Sequence, residues 1–318
     1  MAQAGVEPLP VQHVADVEAV AELPWLVEGL WPAEAVGFLG GHPKTGKSWL
    51  ALDIALSVAS GTPALGCCRV ETAGPVLVFA AEDSPVMVRA RFEGIAAHRG
   101  VLLRDLPLHL VLADRLRLET QADQARLTTA LRELRPALLI LDPFVRMTGI
   151  DENSAQEVSR VLGFLRGLQR SLGLAILVVH HVRKSAAPGG LALRGSGDFW
   201  AWSDTNLFLA RRKHGLELAL EHRSSAAPEP MRLELVTDAE AGPFLRCAEG
   251  QTVDEDVEDR PLSERVLELV SKSGGPVRIQ AIRDAVRARM QSVVDVLRDL
   301  EAEGRLQRDD DGWRAGEP

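Results

Sequence analysis

The sequence predicts an α/β fold, a mostly parallel sheet with helices on both faces, followed by a small domain of helices and a terminal hairpin. Three observations carry that prediction. A glycine-rich loop sits between an apolar run and a helix-spaced run near residue 41. Apolar runs then alternate with amphipathic stretches as far as residue 181, and an acidic segment breaks the periodicity before Pro261.

Taken in order, "AVGFLGG" is short and apolar enough for a buried strand, and "WLALDIALSVA" has the spacing of a helix. "GPVLVFAAED" (74–83) predicts the next strand. "SPVMVRARFEGIAAHRG" predicts a helix with Ser84 as its cap and Pro85 in its first turn. A strand at "LHLVLA", a helix over "QADQARLTTALREL", a strand "ALLILD" ending at Asp142, a helix over "SAQEVSRVLGFLRGLQRSLG" and a strand "LAILVVHH" complete the pattern. In such sheets ligands sit at the carboxyl ends of the strands, and the polar residues collect there.

The loop itself, Gly41-His42-Pro43-Lys44-Thr45-Gly46-Lys47-Ser48, fills every fixed position of the G-x-x-x-x-G-K-[ST] phosphate loop, with Trp49 just beyond it. Its glycines let backbone N–H groups and a helix N-terminus close on phosphate oxygens. Lys47 is expected on the β- and γ-phosphates and Ser48 on magnesium, so ATP and Mg2+ are the expected ligands. Glu82 and Asp83 end one strand, Asp142 the next, and His180 with His181 the third. Asp142 fits the acid that orients magnesium in phosphate-loop NTPases. Glu82 is the candidate to polarise the attacking water. Asp83 is open between helix capping and chemistry, and the histidine pair between core and site.

The 318 residues leave room for one large and one small domain. The opening twenty residues have neither a basic start nor an apolar core of a signal peptide, and no run reaches membrane length, so a cytoplasmic protein without membrane contact is expected. Three cysteines, with Cys67 and Cys68 adjacent, predict packing or surface thiols. A net charge of −9 argues against a surface coated in nucleic acid, though it leaves room for a local basic groove.

The runs "GLWPAEAVGFLGGHPKTGKSWLALDIALSVASG", "VLVFAAED", "LLILDPF", "ILVVHHVRKS" and "LRGSGDFWAWSDTNLFLARR" together resemble the RecA-like P-loop ATPases of the RepA and DnaB hexameric helicase group, and most closely its RepA-like, AAA_25-type branch, over roughly residues 23 to 237. The resemblance implies a RecA-like core, a homo-oligomeric ring with nucleotide between subunits, and central loops that grip single-stranded DNA. It places Glu82 at the catalytic glutamate, Asp142 at the Walker B acid and His181 at the γ-phosphate sensor. In "LELALEHRSS", Arg223 falls at the arginine finger, while Glu221 stands where the family has a lysine. The segments that would face a ring channel are "PFVRMTGIDENSAQE" and "VRKSAAPGGLALRGSGDF". The second offers Arg183, Lys184 and Arg194 for phosphate contacts, with no aromatic residue interleaved; the first carries Asp151 and Glu152.

The expected organisation is an N-terminal extension (1–22), a RecA-like ATPase domain (23–248), an acidic linker (249–260) and a domain over 261–318 that resembles a winged helix-turn-helix. Its third helix carries Asp295, Asp299, Glu301 and Glu303 against Arg298, and its wing Asp309, Asp310 and Asp311, which oppose phosphate. The helix before carries Arg283, Arg287 and Arg289. Protein contact and DNA contact both stay open for it. Three functions follow: a helicase or translocase, an ATP-dependent clamp or sensor that does not unwind, or a DNA-binding regulator whose oligomeric state nucleotide sets.

Overall fold

The computed structural model describes residues 11–17, 24–113, 115–182, 193, 195, 197–213, 215–226, 228–238, 242–248, 262–273, 275–286, 290–309 and 312–315. Two compact units divide the chain, Met1–Glu249 and Gly250–Pro318.

In the first unit a short hairpin, β1 (Trp25–Val27) and β2 (Trp31–Pro32), leads into β3 (Val36–Gly41) and α1 (Lys47–Ser60). Then come β4 (Val76–Ala80), α2 (Pro85–His98), β5 (Leu108–Leu110), α3 (Gln121–Leu134), β6 (Leu138–Asp142), α4 (Ala155–Leu172) and β7 (Ala175–His181). A short α5 (Asp198–Trp202) precedes β8 (Thr205–Arg212), β9 (Gly215–His222), β10 (Met231–Asp238) and β11 (Gly242–Cys247). One nine-stranded sheet has the order β11-β10-β9-β8-β3-β7-β6-β4-β5. From β8 to β5 every neighbouring pair is parallel. The strands from β8 out to β11 pair antiparallel, because short turns join them. The sheet is therefore mostly parallel, as its alternating pattern predicts, with an antiparallel extension on one edge.

Side-chain alternation builds two cores. Leu39, Val76, Val78, Leu138, Ile140, Leu177 and Val179 face α1 and α2. Their chain neighbours Phe38, Leu77, Phe79, Leu139, Leu141, Ile176 and Val178 face α3 and α4. Helix α1 is apolar almost all round and correspondingly buried along its length. The expected cap of α2 is present: Ser84 Oγ accepts from Met87 N–H, with Pro85 in the first turn.

Strand β4 stops at Ala80, so Glu82 and Asp83 lie on the following loop, and "LHLVLA" is ordered as a strand for only three residues. The expectation of three thiols is corrected. Edge strand β11 brings its end beside the segment after α1, where Cys247 N–H donates to Leu65 O at 2.9 Å, and Cys67 and Cys247 form a disulfide across 180 positions. Cys68 is the free thiol, and burial pushes its pKa up to about 11.

The second unit holds α6 (Leu262–Lys272), α7 (Ile279–Val286), α8 (Met290–Ala302) and a hairpin of β12 (Leu306–Asp309) and β13 (Gly312–Ala315). Val266, Val270, Ile282, Val293, Leu297, Leu300 and Trp313 form its core. Trp313 pairs with Val277 through two backbone hydrogen bonds, which ties the hairpin to the segment before α7. Asp295, Asp299 and Glu301 are exposed on α8 and Glu303 in the turn just after it, while Arg287, Arg289, Asp310 and Asp311 lie outside the described residues. Among the described residues no helix is long and apolar enough to cross a membrane.

Candidate nucleotide site

Register places the site. Gly41, the last residue of β3, pairs with His181 at the end of β7, and Ala80 at the end of β4 pairs with Asp142 at the end of β6. The loop after β3 therefore opens onto the ends of three other strands. Gly46 caps α1 at φ 98°, a backbone conformation that side chains resist, and no side chain caps the helix, so its first N–H groups point outward. At Gly41 the demand is one of space: a Cβ there would lie 2.6 Å from Leu209 O.

These elements enclose a cleft of about 520 Å³ lined by Lys47, Ser48, Glu82, Asp142 and His181, among others. Pro43, Lys44, Thr45, Gly46 and Trp49 border it as well, whereas Gly41 and His42 act through their backbone. Lys47 Nζ donates to Gly41 O at 2.9 Å and His42 O at 2.8 Å, which holds the side chain across its own loop. Burial lowers the Lys47 pKa, and Asp142 and Glu82 pull it back up. Burial raises the Asp142 carboxyl to about 6; its hydrogen bond with Ser48 works against that rise, and Glu82 adds to it.

The histidine pair splits into two environments. His180 is buried among the rings of Phe38, Phe144 and Phe199, with centroids 5.9, 5.7 and 4.6 Å away, and belongs to the core. His181 lines the cleft. Asp83 is not the helix cap, a role that Ser84 takes; it accepts from both terminal nitrogens of Arg91 at 2.6 and 3.0 Å. That guanidinium in turn lies 5.3 Å over the Trp49 ring.

Sequence reasoning missed Arg91, Arg211 and the apolar wall of Leu216, Leu235 and Leu245, all of which line the cleft. The leucines come from the antiparallel extension, and only its folding back along β8 brings them there. No local signal marks them.

Arg223 is not in this cleft. It follows His222, which pairs with Thr205 at the start of β8, and Thr205 lies level with Gly37 at the start of β3. Four residues of strand, on the order of 13 Å, separate that level from the phosphate loop. Arg223 instead lines a second cavity of about 480 Å³ with Trp200, Asp204, Glu221 and His222. There its guanidinium pairs with Asp204 at 3.3 Å and donates to Ala201 O. Arg183, Lys184 and Arg194 lie outside the described residues. The ends of their loop are fixed nonetheless: Val182 bridges to Leu193, and a Cβ at Gly195 would lie 2.4 Å from Glu152 O, so the connections after β6 and β7 approach each other.

Among the described residues no cluster of three or more His, Cys, Asp or Glu side chains forms a metal cage. A donor set of Ser48 and Asp142 beside a phosphate loop nevertheless suits magnesium, which commonly takes one or two carboxylates and completes its shell from phosphates and water.

A strand, phosphate loop and uncapped helix facing acids at two neighbouring strand ends define the class: a P-loop ATPase that hydrolyses nucleotide. A family model described as an AAA domain matches residues 5–187, more than half of the chain, and the protein belongs to that family.

Proposed function

We propose that the protein is a RepA-like ATPase that assembles as a homo-oligomeric ring and uses ATP hydrolysis to act on nucleic acid as a helicase or translocase. The observation that carries the oligomeric part is the position of Arg223: at the opposite end of the sheet from its own phosphate loop, it serves a nucleotide only if that nucleotide belongs to a neighbouring subunit. A contact in which one face meets a different face of the next copy closes into a ring when the rotation permits.

Within each cleft the roles follow from chemistry. Lys47 and the N-terminus of α1 hold the phosphates; Ser48 and Asp142 hold magnesium, which neutralises the charge that develops on the phosphoryl oxygens. Glu82 polarises the attacking water, and His181 senses the γ-phosphate from the end of β7. Leu216, Leu235 and Leu245 offer apolar contact to the base, with Trp49 and Arg91 at the same wall. Arg223 of the adjacent copy stabilises the transition-state charge.

A second reading, a clamp or sensor that hydrolyses ATP on nucleic acid or a protein without unwinding, is favoured by Asp151 and Glu152 in the connection after β6. The exposed acids of α8 favour protein contact by the winged-helix-like unit over sequence-specific DNA binding and weaken the regulator reading.

ATP turnover by the full-length protein, with and without single-stranded DNA at low and moderate salt, tests the proposal. Salt-sensitive stimulation supports a nucleic-acid motor, which strand displacement then separates from a clamp. Turnover indifferent to DNA contradicts nucleic acid as the track.

A further inference from the structure

The apolar wall of the nucleotide cleft stands on a ribbon that overhangs the rest of the sheet. Strand β10 pairs with β9 from Met231 to Leu233, whereas it pairs with β11 as far as Asp238. Leu235 and Leu245 lie directly opposite each other on that overhang, and both line the cleft. β11 is an edge strand with β10 as its one sheet neighbour, and such a strand frays unless something else holds it. Two contacts tie it to the body of the domain. Near its start Phe244 stacks on His98 of α2, with ring centroids 3.4 Å apart. At its end Cys247, two residues past Leu245, donates its N–H to Leu65 O at 2.9 Å and is bonded to Cys67. This anchor is itself fixed to the helices: Leu65 N–H donates to the buried Asp53 of α1 at 2.8 Å, and Arg99 at the end of α2 donates to Pro63 O at 2.7 Å.

We propose that Cys67 and Cys247 are a reversible redox site, whose disulfide fixes the leucine wall and tightens the hold on the nucleotide, and whose reduction to two thiols loosens it. The inference rests on the reading above in which Leu235 and Leu245 contact the base, and it adds a regulator of that contact. The site is open to solution, since Cys67 is exposed. A dithiol reductant attacks the Cys67 sulfur and displaces Cys247 as a thiolate, which takes up a proton. The reductant's second thiol then releases Cys67, and the reductant leaves as a disulfide. A hydroperoxide reverses the step: one protein thiolate becomes a sulfenic acid as the peroxide is reduced to an alcohol or water, and the other thiol displaces water to re-form the bond. Cys68, whose Sγ lies 3.6 Å from Cys67 Sγ, does not compete, because burial pushes its pKa up to about 11 and keeps it a poorly nucleophilic thiol. Lys47, Ser48 and Asp142 stand on α1 and β6, away from the ribbon, so the latch acts on affinity and leaves the chemical step alone.

ATP titrations and steady-state rates of the full-length protein, reduced with dithiothreitol or oxidised with a stoichiometric hydroperoxide, test the inference. Reduction is expected to weaken ATP binding about three- to tenfold, the equivalent of part of one leucine's contact, to raise KM in parallel and to leave kcat unchanged. Cys247→Ser should bind like the reduced wild type under both conditions, and Cys68→Ser should keep the full redox response. Amide hydrogen exchange in Gly242–Cys247 should quicken on reduction while that of α1 does not. Equal affinity in both states, with peptide mapping showing the Cys67–Cys247 bond present in one and absent in the other, overturns the latch. So does an oxidant that fails to form that bond, or a redox response that survives in Cys247→Ser. If the wild type is indifferent, Leu235→Ala in the oxidised protein tells why: an unchanged affinity places the fault in the leucine wall, and a weakened one places it in the latch.

Discussion

Arg223 and Asp204 form an ion pair at 3.3 Å at the opposite end of the strands from the phosphate loop. Asp204 is a shared acceptor: Arg166 of α4 donates to both its oxygens at 2.5 and 3.1 Å, and its Oδ2 also accepts from Val36 N–H. With Arg166 bound to that carboxylate in any case, Arg223 can leave it for a neighbour's phosphate without stranding a buried charge. Arg223→Ala is therefore expected to lower turnover by about 10³-fold while the folded chain still binds nucleotide. Steady-state rates together with a nucleotide titration check it. In the wild type, turnover per subunit should rise with protein concentration as copies assemble.

Lys47 and Glu82 should separate binding from chemistry. Lys47→Ala removes the ammonium that bridges the loop and is expected to abolish both nucleotide binding and turnover. Glu82→Gln keeps the shape and loses the base, so nucleotide still binds while turnover falls by about 10²-fold or more. Equilibrium binding beside single-turnover rates distinguishes the two.

Asp142 gives the site a pH response. Its carboxyl, raised to about 6 chiefly by burial in the metal-free site, is ionised above that value and protonated below it, so protons compete with magnesium there and the apparent affinity for magnesium should weaken as pH drops through about 6. Stability runs the other way. A raised pKa means that the folded state takes up the proton more readily than the unfolded one, so this group's stabilising contribution is complete below the unfolded value near 3.8 and is lost as pH rises through about 6. Asp142→Asn should therefore raise nucleotide-free stability at pH 7, by at most about 3 kcal/mol, while abolishing turnover. Thermal melts without magnesium, at pH 5 and pH 7, read the effect.

Asp53 and Arg99 join α1 to the end of α2 through an ion pair in which the two side chains are 1% and 8% exposed. Arg99 also donates to Thr62 Oγ1 and Pro63 O, and Asp53 accepts from Leu65 N–H. Arg99→Ala strands a buried carboxylate and is expected to cost about 3–5 kcal/mol, whereas replacing both residues with apolar ones of similar size should cost less. Denaturant unfolding of the single and double variants gives the comparison.

The parts of the site that were legible in the sequence are local. Gly41 to Ser48 is one contiguous motif whose residue types and flanking periodicity dictate strand, loop and helix. Asp142 and His181 were legible because each closes an unmistakably apolar run. The pairing of Glu82 with Arg146 was not, since two short connections must first be folded side by side, and that of Asp83 with Arg91 depends on how the loop before α2 turns back along the helix. Leu216, Leu235 and Leu245 carry no local mark, and they reach the cleft only because β8 to β11 run back and forth as antiparallel strands. Cys67 and Cys247 stayed hidden for the same reason: spacing in a chain with three cysteines gives no hint that an edge strand returns to the end of the first helix.

The most direct test of the shared site mixes two inactive proteins. Lys47→Ala lacks its own phosphate grip but still offers Arg223, and Arg223→Ala has the grip but no finger. In random co-assemblies of equal amounts about a quarter of the interfaces pair an intact Lys47 with an intact Arg223, so turnover should return to about that fraction of the wild type. No return of activity at any mixing ratio, with co-assembly demonstrated, would contradict a site completed by the neighbouring subunit.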